Sequence, residues 1–228
     1  MASSAQSPSP VRAPPHVLAL LDRLHAASRT QEDAIQPAEV ETQGFDNYMR
    51  DKFIALDRDK AEFVYQLCGA INAKNVVEAG TSFGVSTIYL ALAVSANVKN
   101  DAAGGKGVVI ATEYEKAKAD KARQHWKEVG EDITGCIELR EGDIRETLKK
   151  DLPEIDLLLL DIWTPMALPV LKLCVPKMRR GAVVIADNTI GSADKYKDML
   201  EYMRDPGSGF RNLTLPYTNG LEMSVYMP

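Results

Sequence analysis

The chain has 228 residues, of which 45% are apolar and 26% charged, with a formal net charge of −5. This composition is typical of one soluble globular domain with extensions, and the mild negative charge leaves no electrostatic footprint for nucleic acid or an anionic membrane. We therefore expect small molecules or further copies of the chain as partners. Three scattered cysteines without a CxxC pair, no secretory h-region and no membrane-length apolar run predict a cytoplasmic location.

The first part of the chain is predicted to be a tail followed by helices. Residues 1–15 are rich in Ser, Pro and Ala, a composition that predicts a disordered tail. Apolar residues at helical spacing predict one helix over 16–28, another near 46–55 and a third over 58–72. We expect 16–57 to cover the main domain, and the apolar face of the first helix could bury against a second subunit.

From residue 75 onward the pattern alternates between apolar strands and helices. Five near-continuous apolar strands, separated by helical segments, predict a parallel sheet covered on both faces. The closing strands, near 209–215 and 220–228, are joined only by PYTNG and predict an antiparallel hairpin at the sheet edge. The predicted fold class is therefore α/β, a Rossmann-like, doubly wound, mostly parallel seven-stranded sheet within the domain 58–228.

Each of the five parallel strands ends in an acid. These acids are Glu78, Glu113, Asp143, Asp161 and Asp187. Helix capping and chance explain one or two of them, but five are harder to explain in that way. Because ligands of doubly wound sheets bind outside the carboxyl ends of the strands, we expect a ligand site along this edge.

The turn after the first strand reads EAGTSFGVS, residues 78–86. Gly80 and Gly84 would let the backbone turn tightly and let a ligand approach it closely, although a plain strand–helix turn has the same pattern. The turn is not the GxGxxG dinucleotide fingerprint, because the residue two after Gly80 is Ser82, and this argues against a nicotinamide oxidoreductase. Glu78 just before the turn disfavours a phosphate and favours a cationic ligand.

The next two strand-end acids have two interpretations each. Glu113 could accept both ribose hydroxyls of a nucleoside, or it could cap the helix that starts near Lys116. Its place at the end of the second strand favours the ribose. Asp143 could meet an adenine amine or merely cap the short helix that follows it, and the sequence does not separate these alternatives.

Together these features resemble class I S-adenosylmethionine-dependent methyltransferases, in particular the small metal-dependent O-methyltransferases of the catechol and caffeoyl-CoA type. The resemblance rests on VVEAGTSFGVST, RDKAEFVYQL, NGLEMSVYMP and DIWTPMALPVLKLCVPKMRRGAVVIADN, and it extends from about residue 45 to the C-terminus. It implies that S-adenosylmethionine binds at Glu78, Gly80, Thr81, Ser82, Gly84, Ser86, Glu113, Asp143 and Asp161.

A metal site is predicted at the ends of the fourth and fifth strands, which should be neighbours about 5 Å apart. Asp161, Asp187 and Asn188 would form an all-oxygen set that suits Mg²⁺ better than zinc or copper. The resemblance also assigns the metal to these three residues. Alternatively, the aspartates cap loops and Asn188 starts a turn. The resemblance implies methyl transfer to a hydroxyl of a small phenolic or enolic acceptor, by a homodimer.

The base that takes the acceptor's proton is where this chain departs from the resemblance. Many relatives carry a lysine three residues after the first metal aspartate, whereas this chain has Thr164, whose hydroxyl is not a base near neutral pH. His25 is a candidate base if the N-terminal helix covers the cleft, and otherwise a surface or interface residue. Thr164 also keeps a second function open, an enzyme that binds S-adenosylmethionine but catalyses a cyclisation or elimination.

The acceptor pocket has three candidate residues, Trp163, Met166 and Tyr217. Aromatic faces suit flat phenolic substrates, and Trp163 lies two residues after the predicted metal ligand Asp161. Trp163 could equally belong to the core. The sequence does not name the acceptor, because the N-terminal helices and loops that shape the pocket follow no readable code.

Overall fold

Within the described residues, 8–102 and 104–228, seven strands form one sheet in a computed structural model of the protein. The strands are β1 (Asn75–Ala79), β2 (Val108–Glu113), β3 (Ile137–Glu141), β4 (Ile155–Leu160), β5 (Met178–Asp187), β6 (Phe210–Leu215) and β7 (Leu221–Tyr226). Their order across the sheet is β3-β2-β1-β4-β5-β7-β6. Neighbours among β1 to β5 pair in parallel, while β7 pairs antiparallel with β5 and β6. The predicted fold class and the closing hairpin are confirmed.

Helices pack on both faces of this sheet. They are α1 (Pro15–Asp33), α2 (Pro37–Gln43), α3 (Phe45–Met49), α4 (Arg58–Ala70), α5 (Val85–Lys99), α6 (Lys116–Val129), α7 (Glu131–Thr134), α8 (Ile144–Thr147), α9 (Thr164–Cys174) and α10 (Ala193–Arg204). Leu157 and Leu159 of β4 face one apolar cluster, and Leu158 and Leu160 face the other. Because all four leucines are fully buried, β4 is a dry, well-packed strand. None of the helices in the described ranges has the length and hydropathy that a membrane span requires.

Helix α1 packs against its own chain. Its apolar face joins the cluster that also holds α5, and its buried members are Val17, Leu20, Leu21 and Leu24. The chain's own core thus covers these side chains, and a homodimer stays a prediction. Val11 is buried as well, so the predicted disorder of 1–15 does not extend over it. Residues 1–7 of that predicted tail lie outside the described residues.

The predicted helix near 46–55 forms only in part. Helix α3 ends at Met49, and residues 52–57 have no regular structure, whereas α2 forms between the two helices predicted over 16–28 and near 46–55. Two side chains of α1 hold the irregular segment. Ala55 N donates to Ser28 Oγ at 2.8 Å, and Phe53 N donates to Gln31 Oε1 at 3.1 Å. These bonds take the place of helical ones and tie the segment to α1.

Candidate active site

The carboxyl ends of β4 and β5 place two predicted metal ligands side by side. Leu160 pairs with Ala186 in the parallel register, so Asp161 and Asp187 are the next residues on neighbouring strands. The backbone N–H of Asp161 also donates to Ala79 O at 3.0 Å. The predicted adjacency of the two strands is confirmed, and it brings both carboxylates to one edge of the sheet.

These two carboxylates bring more negative charge to the edge than the chain neutralises there. Burial, followed by the charges of Asp187 and Glu78, raises the pKa of Asp161 to about 8. Burial also raises the pKa of Asp187, although the ammonium of Lys60 opposes the shift. Buried charges cost free energy unless opposite charges pair with them. The edge therefore has a deficit of positive charge that a bound cation would fill.

Asn188 supplies the third oxygen of the predicted set. Its backbone is left-handed with φ +59°, and its Nδ2 donates to Asp187 Oδ2 at 3.0 Å. The next residue, Thr189, has a buried hydroxyl without a hydrogen-bond partner among the described residues. No group of three or more His, Cys, Asp or Glu side chains suited to a metal occurs in the described part of the chain. The available donors are thus two carboxylates and an amide, a hard oxygen set that fits Mg²⁺.

Lys60 is a charged residue of this edge that the sequence analysis missed. It is 1% exposed, and its Nζ lies 2.7 Å from Asp187 Oδ1 and 2.9 Å from Asp57 Oδ2. Burial lowers the pKa of Lys60, but the two carboxylates outweigh burial, so the pKa is raised and the side chain stays charged. The available signal was spacing, because Lys60 shares the buried face of α4 with Val64 and Leu67.

The glycine turn after β1 packs tightly against the protein itself. Gly80 has φ +97°, and a Cβ there would lie 2.0 Å from Asp161 O. A Cβ on Gly84, at φ +79°, would lie 2.5 Å from Trp126 Nε1. Ser82 is left-handed as well, at φ +49°. The backbone of Asp161 and the Trp126 ring therefore require glycine at these two positions, while the approach of a ligand to the turn stays a prediction.

Glu78 lies buried beneath this turn and binds its hydroxyl groups. It is fully buried, and it accepts hydrogen bonds from Ser86 Oγ at 2.6 Å, Thr81 Oγ1 at 2.8 Å and Thr87 Oγ1 at 2.6 Å. Burial raises the pKa of Glu78, and the three hydroxyls oppose the shift. The structure therefore does not support the predicted contact of Glu78 with a cationic ligand, because this carboxylate is fully buried and already accepts three hydrogen bonds. The hydroxyls of Thr81 and Ser86, two predicted cofactor-binding residues, thus donate to Glu78 in this structure.

Glu113 supports the turn from the end of β2. Its Oε2 accepts from Ser82 N at 2.7 Å and its Oε1 accepts from Glu115 N at 2.8 Å. Burial raises its pKa. Each carboxylate oxygen retains a lone pair, so a ribose contact stays compatible with these bonds. Lys118, which the sequence analysis also missed, lies nearby with Nζ 5.7 Å from the centre of the Phe83 ring.

Asp143 caps helix α8, which was one of its two interpretations. Its Oδ1 accepts from Arg145 N at 2.9 Å, and its carboxylate pairs with the Arg145 guanidinium at 2.6 Å. These bonds with Arg145 lower the pKa of Asp143 to about 2. The bond from Arg145 N confirms the capping interpretation, and the adenine contact stays a prediction.

The candidate acceptor residues lie around the start of α9 and in the closing hairpin. Trp163 is 52% exposed, so it does not belong to the core. Thr164 is the first residue of α9, and Met166 N donates to Trp163 O at 2.9 Å. Tyr217 lies between β6 and β7, where its ring packs on Phe63 with the ring centres 5.8 Å apart. The structure thus places Trp163 and Thr164 shortly after the end of β4, and it packs Tyr217 against Phe63 of α4.

His25 is enclosed between α1 and α5. It is 3% exposed, and its Nε2 lies 2.8 Å from Tyr89 Oη. Burial, followed by the charges of Arg58 and Arg29, lowers the pKa of His25 to about 4. The structure does not support the predicted role as a base, because α1 packs this side chain against α5 instead of extending it over the cleft.

A buried neutral His25 predicts that acid lowers the stability of the fold. Its pKa is about 4 in the folded chain against an ordinary 6.5, so the unfolded chain takes up the proton first, and stability is lost as the pH falls from about 6.5 to about 4. We expect this residue to lower the free energy of unfolding by about 2 kcal/mol between about pH 7 and about pH 5. Urea unfolding of the wild type and His25→Gln at both pH values measures the difference. Equal pH dependence in the two proteins would contradict the assignment.

A small cavity of about 10 Å³ lies beside these strand ends. Residues 53–56 line one side, and residues 80–83 together with Asp161 line the other. Phe53 also stacks on Phe83, with ring centres 4.5 Å apart. The cavity thus occupies the position where doubly wound sheets bind their ligands, and the irregular N-terminal segment forms its roof.

Comparison with known proteins identifies the domain that carries this site. Residues 77–189 match a family model described as a methyltransferase domain. The catechol O-methyltransferase of Mycobacterium tuberculosis is 31% identical over 138 residues, which are 60% of this chain and 58% of the relative. That of Niastella koreensis is 26% identical over 141 residues, 60% of this chain and 59% of the relative. The chain thus spans less than two thirds of the length of these curated relatives.

Solved structures share the fold over nearly the whole chain. Cofactor-bound Rv0187 from MTB has a TM-score of 0.68 at 23% identity, over 97% of this chain and 99% of that one. An O-methyltransferase from Bacillus cereus in complex with SAH has a TM-score of 0.66 at 18% identity, over 90% and 99%. The predicted resemblance is thereby confirmed: residues 77–189 are similar to a methyltransferase domain, and the chain shares the fold of these solved structures.

Proposed function

We propose that this protein transfers a methyl group from S-adenosylmethionine to a hydroxyl of a small phenolic or enolic acceptor, with the help of Mg²⁺. The observation that carries the proposal is the pair of carboxylates, Asp161 and Asp187, which share one sheet edge with the glycine turn and which the ammonium of Lys60 compensates only in part. The names of the two curated relatives support the acceptor class. A homodimeric, cytoplasmic enzyme stays part of the prediction.

Several residues of the chain have distinct roles in this proposal. Asp161, Asp187 and Asn188 would hold the cation, and Glu113 would accept the donor's ribose hydroxyls. When bound, S-adenosylmethionine supplies an electrophilic methyl group and Mg²⁺ lowers the pKa of the acceptor hydroxyl. The segment 53–56 would cover the donor from the side opposite the glycine turn. Holding donor and acceptor in place contributes up to roughly 7–11 kcal/mol to such reactions, so positioning alone could supply much of the rate.

Two exposed apolar side chains suggest where the acceptor ring lies. Trp163 follows β4 and is 52% exposed, and Ile190 follows β5 and is 60% exposed. Both residues therefore come from the loops that directly follow the proposed metal ligands. A flat aromatic or enolic ring would bury part of this apolar surface while its hydroxyl faces the carboxylates. Met166 and Tyr217 stay predicted members of the same pocket.

The second candidate function is a metal-assisted cyclisation or elimination on the same site. It is favoured by Thr164, which stands where many relatives have a lysine. Lys172, two turns further along α9, does not replace that lysine, because its Nζ lies 5.3 Å from the centre of the Tyr202 ring. An enzyme without a base at this position could have retained donor binding and changed its reaction.

A methyl transfer assay separates the two candidates. The protein is incubated with S-adenosylmethionine and a panel of catechols and enols, with Mg²⁺ or with EDTA. We expect a product heavier by one methyl group, S-adenosylhomocysteine in equal amount, and a rate at least roughly 100-fold lower in EDTA. Equal rates with Mg²⁺ and EDTA would contradict the metal role. Donor binding without transfer to any acceptor would favour the second candidate.

A further inference from the structure

Lys60 occupies a place where a lysine is unfavourable on local grounds. It lies in the first turn of α4, where the helix dipole disfavours a cation. It is also 1% exposed, and a buried ammonium is costly unless carboxylates surround it. Neither the helix dipole nor apolar packing favours a lysine at this position. The explanation must therefore come from what its ammonium contacts.

One contact of Lys60 is made at the expense of a helix cap. Asp57 is the N-cap residue of α4, a position where an aspartate ordinarily accepts a backbone N–H of the first turn. Its side chain makes no such bond. Its Oδ2 instead lies 2.9 Å from Lys60 Nζ. The Asp57 carboxylate thus pairs with the Lys60 ammonium and does not form the usual N-cap hydrogen bond.

The other contact of Lys60 reaches the proposed metal site. Its Nζ lies 2.7 Å from Asp187 Oδ1, while Asp187 Oδ2 accepts from Asn188 Nδ2 at 3.0 Å. Lys60 therefore restrains one oxygen of a proposed metal ligand and leaves the other beside the third ligand. Through Asp57, the same ammonium is tied to the chain immediately after the roof at 53–56.

We propose that Lys60 is a positioning residue for the cation, which holds the Asp187 carboxylate in the orientation that metal binding requires and ties it, through Asp57, to the segment 53–56. The inference rests on the proposed function, because it assumes the cation at Asp161, Asp187 and Asn188. Partners that orient metal ligands in this way typically contribute 10- to 100-fold to metal affinity. A mere counterion would act in the opposite direction, since removing its positive charge would strengthen cation binding.

Mn²⁺ binding to the full chain without donor or acceptor tests this inference, with free Mn²⁺ measured by electron paramagnetic resonance. We expect Lys60→Met to weaken Mn²⁺ binding by roughly 10- to 100-fold, and Lys60→Arg, which keeps the charge and two possible contacts, to restore most of the affinity. Circular dichroism establishes that each variant is folded. Should Lys60→Met not fold, Lys60→Gln makes the same comparison with a neutral hydrogen-bonding side chain.

The direction of the change in Mn²⁺ affinity distinguishes a positioning role of Lys60 from that of a counterion. Unchanged or tighter Mn²⁺ binding by a folded Lys60→Met or Lys60→Gln would overturn the positioning role and leave the proposed function intact. A wild-type protein that binds no Mn²⁺ would overturn both the inference and the metal dependence of the proposed function. Weaker binding by the neutral variants together with rescue by Lys60→Arg would establish the role.

Discussion

Replacing Asp161 with asparagine is expected to lower kcat/KM for methyl transfer by roughly 10²- to 10³-fold, which corresponds to about 3–4 kcal/mol. The neutral amide keeps the size of the side chain but removes the charge that would hold the cation. The loss should appear in assays with saturating donor, which separates it from any weakening of donor binding, since Asp161 also lines the cavity beside the glycine turn. Asp198→Asn makes the same chemical change at an exposed position of α10 and should leave the rate unchanged.

The same substitution is expected to stabilise the fold when no divalent cation is present. The pKa of Asp161 is about 8 against an ordinary 3.8, so the folded chain resists ionisation that the unfolded chain accepts. The wild type therefore loses stability as the pH rises from about 4 to about 8, and the variant is spared this loss. Urea unfolding in EDTA at about pH 6 and about pH 8 measures the gain, which should be larger at the higher pH. Loss of both activity and stability would instead indicate a structural role.

Replacing Gly80 with alanine is expected to destabilise the fold by more than about 4 kcal/mol or to prevent folding. A Cβ at this position would lie 2.0 Å from the carbonyl oxygen of Asp161 and 2.8 Å from its carbonyl carbon. Both atoms belong to the backbone of a strand end and cannot turn aside as a flexible side chain would. The turn and β4 would have to separate, which would also displace the carboxylate of Asp161.

Gly130→Ala is the matched control for this substitution. Gly130 has φ +103°, close to the φ +97° of Gly80, but a Cβ there would meet no atom within 4 Å. We expect this control to lose only about 1–3 kcal/mol, the usual effect of a side chain in such a backbone conformation. Urea unfolding of both variants gives the comparison. Equal losses would show that backbone strain alone, and not the contact with Asp161, requires glycine at position 80.

Much of the fold, and the sheet edge that carries the candidate site, could be predicted because they depend on residues that are neighbours in the sequence. The apolar runs of the five parallel strands and the short PYTNG connection predicted the sheet and its closing hairpin, and both are confirmed. The acids that follow those runs predicted the edge where the site lies. Asp161 and Asp187 could be placed together because neighbouring parallel strands end at the same edge.

The individual partners of these residues could not be predicted in the same way. Glu78 looked available to a ligand, yet hydroxyls of its own turn satisfy it. The apolar face of α1 was compatible with a second subunit, yet the chain's own core covers it. His25 was a candidate base, yet Tyr89 and the packing of α1 enclose it. In each case the residue type was informative, but its surroundings depend on how separate elements pack.

By itself, the sequence determined the doubly wound sheet, the edge on which the site lies and the acidic character of that edge, since hydrophobic periodicity and strand ends can be read from neighbouring residues. Only the tertiary structure decided that Lys60 lies between Asp187 and Asp57 and that Gly80 packs on the backbone of Asp161. The physical reason is that ion pairs and van der Waals contacts form between atoms that are close in space. Residues far apart in the chain leave no periodic signal of such a contact until α4, β4 and β5 have packed together.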